Sequence, residues 1–369
     1  MNWLVESLES IAKFAIFGQF VSSMVKTNPW FAPLAWLYKM AISFRHRLFD
    51  WGILPTERFD IPIVCIGNIT VGGTGKTPMA EMVVGHLSQS FKVALISRGY
   101  GRKTKGYIEV QPDVHYIEVG DEPKMIKMKF PNVPVVVCED RVAGIKRLRE
   151  EHPEVQVVVM DDGFQHRYVE APINIIMVDN TRPVYEDKFL PAGQLRDLPS
   201  QLYRAQYFIV TKCREDMTPI EHRLLQKDFL RYPYQSLYLT GVESGAPCPI
   251  FPEDAPQSVE YGAEVVSMAG VGNPVPFLEG LRKHYRVIGE LVYDDHHVYR
   301  RHDLQTMIDA VGERGVIITT EKDAVKLLNR DKIPAELRSR LYYIPISITF
   351  IGSSPADFLL KLENDVRTN

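Results

Sequence analysis

The sequence predicts an α/β protein whose main domain is a mostly parallel sheet flanked by helices. Three observations predict it. Apolar runs rich in Val and Ile alternate with helix-like segments from residue 61 onward, these runs are continuously apolar, and the first ends in a glycine-rich loop that opens a helix. Continuous apolar runs between helices are what strands buried on both faces require, and such strands build parallel sheets. The chain of 369 residues is 45% hydrophobic, enough to bury a sizeable core in one large or two smaller domains.

Residues 1–58 stand apart as an apolar and aromatic segment. Residues 30–44 (WFAPLAWLYKMAISF) are broken only by Lys39 and lead into Arg45-His46-Arg47. A spanning helix needs roughly 20 apolar residues, so this run is too short to cross a bilayer comfortably. Two readings stay open: a helix lying in the membrane interface with its basic end toward anionic headgroups, or a helix packed on the domain core. Residues 1–25 are also apolar but carry Glu6, Glu9 and Lys13, and no basic stretch precedes the apolar part. That argues against a cleaved signal peptide, and Met24 is a candidate natural start.

The first strand, 61–67, runs into Gly67-Asn68-Ile69-Thr70-Val71-Gly72-Gly73-Thr74-Gly75-Lys76-Thr77-Pro78, with a helix from residue 76 to about 86. Strand, glycine-rich loop and helix in that order form a P-loop NTPase-like phosphate site. Backbone N–H groups turn inward around phosphate oxygens, and the helix N-terminus adds a partial positive charge. Gly72, Gly73, Thr74, Gly75, Lys76 and Thr77 are the nucleotide-binding candidates. Lys76 suits the β- and γ-phosphates, and the Thr77 hydroxyl suits Mg²⁺. The usual pattern has glycine where Thr70 stands.

A second strand, 92–97, ends in Ser97-Arg98-Gly99-Tyr100-Gly101-Arg102-Lys103. This basic, Gly-rich loop either faces an anionic substrate, with Arg98 in reach, or is simply solvated. Gly120-Asp121-Glu122-Pro123 opens a Met- and Lys-rich helix, where Asp121 is well placed as an N-cap. Strand 133–138, helix 140–151 and strand 155–160 follow, the last ending in Asp161-Asp162-Gly163. Carboxylates at that strand end, in the same sheet as the loop, are the metal candidates beside Thr77. Gln165 and His166 come next, with His166 either a supporting polar group or a loop histidine. After strand 173–178, the loop Leu190-Pro191-Ala192-Gly193-Gln194-Leu195-Arg196-Asp197 offers Arg196 to a phosphate. A further strand is expected at 207–211.

The Pro-rich stretch 245–256 reads as a domain boundary, dividing a nucleotide-binding domain (59–244) from a second, smaller α/β domain (257–369) that closes the active-site cleft. The second domain's strands are expected at 264–269, 286–289, 316–320 and 341–344. In it, Tyr293-Asp294-Asp295-His296-His297 sets two imidazoles beside two carboxylates, which suits acid/base work better than metal binding, since no third ligand has metal spacing. Lys322, in Thr320-Glu321-Lys322-Asp323, offers a positive charge toward the cleft. The net charge of −3 gives no global basic surface, so nucleic acid is not an expected partner. Cys65, Cys138, Cys213 and Cys248 are far apart, without metal spacing, which fits a reducing compartment.

Together these segments resemble the tetraacyldisaccharide 4'-kinases of Gram-negative lipid A biosynthesis. The resemblance rests on the stretch from Gly67 to Pro78 including Thr70, and on Ser97-Arg98-Gly99-Tyr100-Gly101 and Gly120-Asp121-Glu122-Pro123. It continues in Asp161-Asp162-Gly163-Phe164-Gln165-His166, Leu190-Pro191-Ala192-Gly193, Asp295-His296-His297 and Thr320-Glu321-Lys322-Asp323. It implies transfer of the γ-phosphate of ATP, with Mg²⁺, to the 4'-hydroxyl of a tetraacylated glucosamine disaccharide 1-phosphate, giving lipid IVA. It further implies that Asp121 and His296 activate that hydroxyl; charge neutralisation by Lys76, Mg²⁺ and a cationic lid is expected to carry most of the catalysis, with Arg196 the lid candidate. Asp294 and Asp295 leave the orienting partner of His296 open. A monotopic protein on the cytoplasmic face of the inner membrane is implied, with no obligate protein partner indicated. The alternatives come from other classes. A membrane-recruited Min/Par-type switch ATPase would carry lysine where Val71 stands. A regulatory GTPase would need an aspartate that Thr211-Lys212-Cys213-Arg214 lacks. A non-enzymatic membrane protein would leave the loop and its carboxylates unexplained.

Overall fold

The structure, a computed structural model, describes residues 29–312 and 315–369. The expectations for residues 1–25, including Met24 as a start, lie outside the described residues. In chain order the elements are α1 (Ala32–Asp50), β1 (Ile63–Gly67), α2 (Lys76–Leu87), β2 (Val93–Ser97), β3 (Ile108–Glu109), α3 (Tyr116–Val119), α4 (Asp121–Lys129) and β4 (Val135–Val137). There follow α5 (Arg141–Glu151), β5 (Val157–Asp161), β6 (Ile173–Asp179), β7 (Tyr207–Thr211), α6 (Pro219–Phe229), β8 (Ser236–Ser244) and β9 (Cys248–Pro249). The chain then forms β10 (Glu264–Ala269), α7 (Val275–His284), β11 (Arg286–Val292), α8 (Arg301–Val311), β12 (Val316–Thr320) and α9 (Glu321–Ala324). It closes with α10 (Ala335–Arg338), β13 (Leu341–Ile344), β14 (Ile346–Ile351) and α11 (Pro355–Thr368).

The chain divides into two units that are not the contiguous halves expected at 59–244 and 257–369. Residues 99–137 group with 242–347, and residues 348–369 group with the first unit. Nothing in the local pattern of 99–137 distinguishes it from the strand and helix before it, and only its packing assigns it.

In the first unit the strands run in the order β14-β8-β7-β6-β1-β5-β2. The registers of β1 with β5 and β6, of β2 with β5, and of β7 with β6 and β8 are parallel. β1, β2, β5, β6 and β7 are buried along their whole length, as their continuous Val/Ile runs predict. α2 turns Met79, Ala80, Val83, Val84 and Leu87 inward against this sheet. Each fully buried side chain of this kind contributes roughly 1.5–3 kcal/mol. Pairing of Ile66 with Asp161 aligns the carboxyl ends of β1 and β5. The glycine-rich loop and the Asp161-Asp162 pair therefore emerge side by side, at the edge where open parallel sheets bind ligands.

The second unit is built on a sheet ordered β11-β10-β12-β13-β9, parallel except for β9, and also contains β3 and β4, which pair antiparallel. β11 continues to Val292, three residues past the expected end, with alternate residues exposed as on an edge strand. Met268, Leu304, Met307, Ile317, Leu327 and Leu341 form the centre of its core.

α1 divides along its length, and its C-terminal part follows the reading of a helix packed on the domain core. Its last turns dock on the first unit: His46 is buried and its Nε2 lies 2.6 Å from Asp197 Oδ1, while Arg167 donates to Asp50 Oδ1 at 2.8 Å. Arg45 covers the rings of Phe49 and Tyr168 at 5.0 and 5.8 Å. Arg45 and His46 thus pack toward the protein, as the core-packed reading has it, and Arg47 alone of the three is exposed. The first turns are different. Trp30, Leu34, Trp36, Leu37, Met40 and Phe44 are exposed, Trp30 by 87%. No described helix is long and apolar enough to cross a membrane.

Candidate active site

The loop between β1 and α2 is shaped by its glycines and by one asparagine. Gly75 caps α2 with φ +84°, a left-handed conformation that any side chain would strain, and so leaves the N–H groups of the first turn open to an anion. Buried Asn68 donates from Nδ2 to Thr74 Oγ1 at 2.8 Å, bracing the loop across its width. Thr211 Oγ1 donates to the Thr74 carbonyl at 3.2 Å from the end of β7. Thr70, in place of the usual glycine, forms an antiparallel bridge with Leu195 and needs no special backbone conformation.

That bridge belongs to a longer seam. Val71 N–H donates to the Gln194 carbonyl and Arg196 N–H to the Ile69 carbonyl, both at 2.9 Å. The expected lid is therefore a wall. Arg196 is not poised on a free loop: its guanidinium grips Asp162 with a two-pronged ion pair and also donates to Asn68 Oδ1. Asp162, with φ +48°, also lies 3.6 Å from Lys76 Nζ. Desolvation alone would raise its carboxyl, but Arg196 and Lys76 outweigh this and hold it far below the ordinary carboxylate range.

The remaining first-unit candidates divide into support and surface. Gln165 Nε2 donates to the Asn68 carbonyl at 2.7 Å and to Asp197 Oδ2 at 3.3 Å, so Gln165 braces the loop. Burial, reinforced by Arg141, Arg45 and Arg98, pushes the His166 imidazole down to about 2 and keeps it neutral. Arg98 is exposed at the end of β2. Thr77 lies in the first turn of α2, and Asp161 is buried at the end of β5. Hydroxyl and carboxylate oxygens of Thr77, Asp161 and Asp162 are the hard donors Mg²⁺ prefers, so this donor set fits the ion. Asp162 already balances two cations.

The second unit assembles a second cluster. Gly120, with φ +95°, caps α4, and a Cβ there would lie 3.1 Å from the Tyr100 carbonyl; only glycine permits that approach. Asp121 is thus the first residue of α4 rather than its cap. Its Oδ1 accepts from Glu122 N–H at 3.0 Å, and its Oδ2 lies 2.9 Å from His296 Nδ1, across 175 residues of chain. Of the carboxylates left open in sequence, Asp121 lies at Nδ1 and Asp295 Oδ2 lies 3.7 Å from Nε2. Asp294 contributes only its carbonyl, to His297 N–H. His296 itself has φ +60°, a strained backbone for a non-glycine residue.

Lys322 Nζ stands in the middle, 3.4 Å from His296 Nε2, 3.3 Å from Asp295, 3.4 Å from Glu122 and 3.8 Å from Asp121. Burial would lower its ammonium, but these carboxylates hold it above the ordinary lysine range. Burial would likewise raise Asp121, yet Lys322, His296 and Lys326 bring it down to about 2. His297 turns away to Asp303 and stacks on Tyr293, a structural role. The sequence reading missed Asn68 and Lys326. Lys326 is fully buried, 2.8 Å from Asp323 and 4.0 Å from Asp121, and no motif distinguishes it from a surface lysine.

Comparison with known proteins supplies the context for these groups. The family model described as LpxK, Tetraacyldisaccharide-1-P 4'-kinase, matches residues 27–366. The chain is 38% identical to a tetraacyldisaccharide 4'-kinase of Phocaeicola vulgatus over 357 residues, covering 94% of this chain and 97% of the relative. It is 36% identical to a tetraacyldisaccharide 4'-kinase of Bacteroides thetaiotaomicron, covering 94% and 95%. Among solved structures, it superposes on LpxK from Aquifex aeolicus in complex with ATP with a TM-score of 0.73. That match has 26% identity and covers 91% of this chain and 98% of that one.

Proposed function

Because the chain belongs to the tetraacyldisaccharide-1-phosphate 4'-kinase family, we propose that its glycine-rich loop holds ATP while the Asp121–His296 pair prepares the acceptor hydroxyl. The chain is a kinase of lipid A biosynthesis. It transfers the γ-phosphate of ATP to the 4'-hydroxyl of a tetraacylated glucosamine disaccharide 1-phosphate, and the switch-ATPase alternative is not favoured.

The observation that carries the site assignment is the 2.9 Å contact of His296 Nδ1 with Asp121 Oδ2. With its proton on Nδ1, the imidazole donates to an ionised carboxylate, and Nε2 becomes the basic edge. A sugar hydroxyl is a weak nucleophile, and Nε2 can take its proton as the new O–P bond forms. Lys322 beside Nε2 supplies positive charge where an anionic acceptor or the transferring phosphoryl group needs it. In the first unit, the N–H groups of Gly72–Gly75 and Lys76 fit the β- and γ-phosphates. Mg²⁺, held by Thr77 and the Asp161–Asp162 pair, would neutralise phosphate charge. Arg196 keeps Asp162 in place. Most of the rate should come from positioning and charge neutralisation.

The exposed apolar turns of α1 support membrane contact: Trp36, Leu37 and Met40 lie on a helix whose other end is anchored in protein. A helix so divided suits shallow insertion at the bilayer interface, where an acylated substrate resides. ATP as donor assigns that interface to the cytoplasmic face of the inner membrane.

The deciding measurement is transfer of radiolabelled γ-phosphate from ATP to tetraacyldisaccharide 1-phosphate in detergent micelles, with Lys76→Ala in parallel. Labelled lipid that depends on Lys76 is expected. ATP hydrolysis without labelled lipid across several detergents would overturn the assignment.

A further inference from the structure

We infer that Arg182 is a catalytic residue of this transfer, contacting the terminal phosphate of ATP from the rim of the glycine-rich loop; this rests on the kinase reading above. The residue follows β6, and the turn that carries it is fixed from below. Asp179 is buried at the strand end; its Oδ1 accepts from Thr181 N–H at 3.0 Å and Thr181 Oγ1 at 2.6 Å, and its Oδ2 accepts from Lys212 Nζ at 2.5 Å. Arg182 N–H donates to the Asp179 carbonyl at 3.1 Å.

From this base the guanidinium reaches the loop. Arg182 Nη1 lies 3.7 Å from the point a Cβ would occupy on Gly72, whose φ of +104° only glycine holds without strain. It also donates to Gln194 Oε1, while the Gln194 backbone is bonded to Val71 and to Asp187 Oδ1. A neutral amide thus parks the guanidinium beside the phosphate cradle.

Charge accounting sets Arg182 apart from its neighbours. Arg196 is locked on Asp162, and Lys76 shares that carboxylate at 3.6 Å. Arg182 is exposed, and among the described residues it has no carboxylate at ion-pair distance. A phosphate oxygen is a stronger acceptor for a guanidinium than an amide oxygen, because the charge-assisted bond is about twice as strong. ATP can therefore draw Arg182 from Gln194 at small cost. Phosphoryl transfer spreads negative charge over the equatorial oxygens, and an arginine supplied to that charge accelerates such reactions by about 10³–10⁵-fold. Among the described residues, Arg182 is a cation beside the loop that remains available for this task once Arg196 is committed.

The test uses the full chain in detergent micelles, with Arg182→Ala and Arg182→Lys, reading turnover together with calorimetric affinity for ATP and for ADP. Arg182→Ala should lower kcat by about 10²-fold or more and weaken ATP about tenfold, with ADP within about twofold of wild type. Arg182→Lys should recover part of the ATP preference but little of the turnover, since an ammonium lacks the planar fork. Unchanged kcat and ATP affinity would overturn the inference. So would equal weakening of ATP and ADP with a lower thermal midpoint, which would make Arg182 a structural part of its turn. Failure of the kinase reading itself is distinct, because wild-type protein would then label no lipid.

Discussion

In the proposed mechanism the Asp121–His296 pair concentrates the chemistry of the acceptor on one contact. Removing the carboxylate leaves the imidazole free to turn and to take the wrong tautomer, without touching the loop proposed to hold ATP. Asp121→Ala should therefore lower kcat by about 10²-fold or more while ATP affinity changes little. Steady-state kinetics with direct ATP titration checks this, and equal loss of both would make Asp121 a structural residue of α4. The same carboxylate carries a pH signature. Its folded value, about 2, lies below the ordinary 3.8, so the folded state holds its proton less tightly than the unfolded chain does. Its stabilisation is complete above about pH 4 and is lost as pH falls toward 2. Urea midpoints between pH 5 and 2 should fall more steeply for wild type than for Asp121→Asn.

α1 shows how one element can be divided between two environments. His46 against Asp197 and Arg167 against Asp50 fix its C-terminal end, and removing one partner of a buried hydrogen bond such as His46–Asp197 costs about 1–3 kcal/mol. Deleting the helix would therefore mix loss of stability with loss of any membrane contact. Substituting exposed positions avoids that. Trp36→Glu with Leu37→Glu should sharply reduce partitioning into anionic vesicles and leave the thermal midpoint within about 2 °C, since exposed substitutions rarely exceed about 0.5 kcal/mol. Unchanged partitioning would remove the membrane role from this face. The loop carrying Arg196 gives the converse case, since its seam with residues 69–71 makes a wall of a segment expected to supply the lid.

For the whole molecule, the chain's return matters most. β14 pairs with β8, and α11 buries Phe358, Leu362 and Val366 in the first unit. Tyr207 Oη lies 2.5 Å from Asp365, His86 lies 3.1 Å from Glu363, and Lys361 donates to Ser236. The first unit is therefore complete only after the second unit has been made. Phe358→Ala, with its ring packed against Tyr207 and Tyr238, should cost about 3–5 kcal/mol and weaken ATP binding together with stability. Urea unfolding monitored beside ATP titration checks this. Intact stability would assign α11 to the surface.

Local chemistry was legible wherever one segment carries the whole signal. The strand runs, the glycine loop with Lys76 and Thr77, and the Asp161-Asp162 end of β5 are written in contiguous residues, whereas Asp121 and His296 were joined as a pair only through the family resemblance. Burial on both faces, backbone freedom and phosphate chemistry each act within a few positions. What only the tertiary structure decided is partnership over distance. It made Asp121 the Nδ1 partner of His296, gave Arg196 to Asp162, turned Arg45 and His46 inward, assigned 99–137 and 348–369 to their units, and set Arg182 beside Gly72. A side chain's charge is visible in sequence, but whether that charge is cancelled, buried or left available depends on what the fold packs against it.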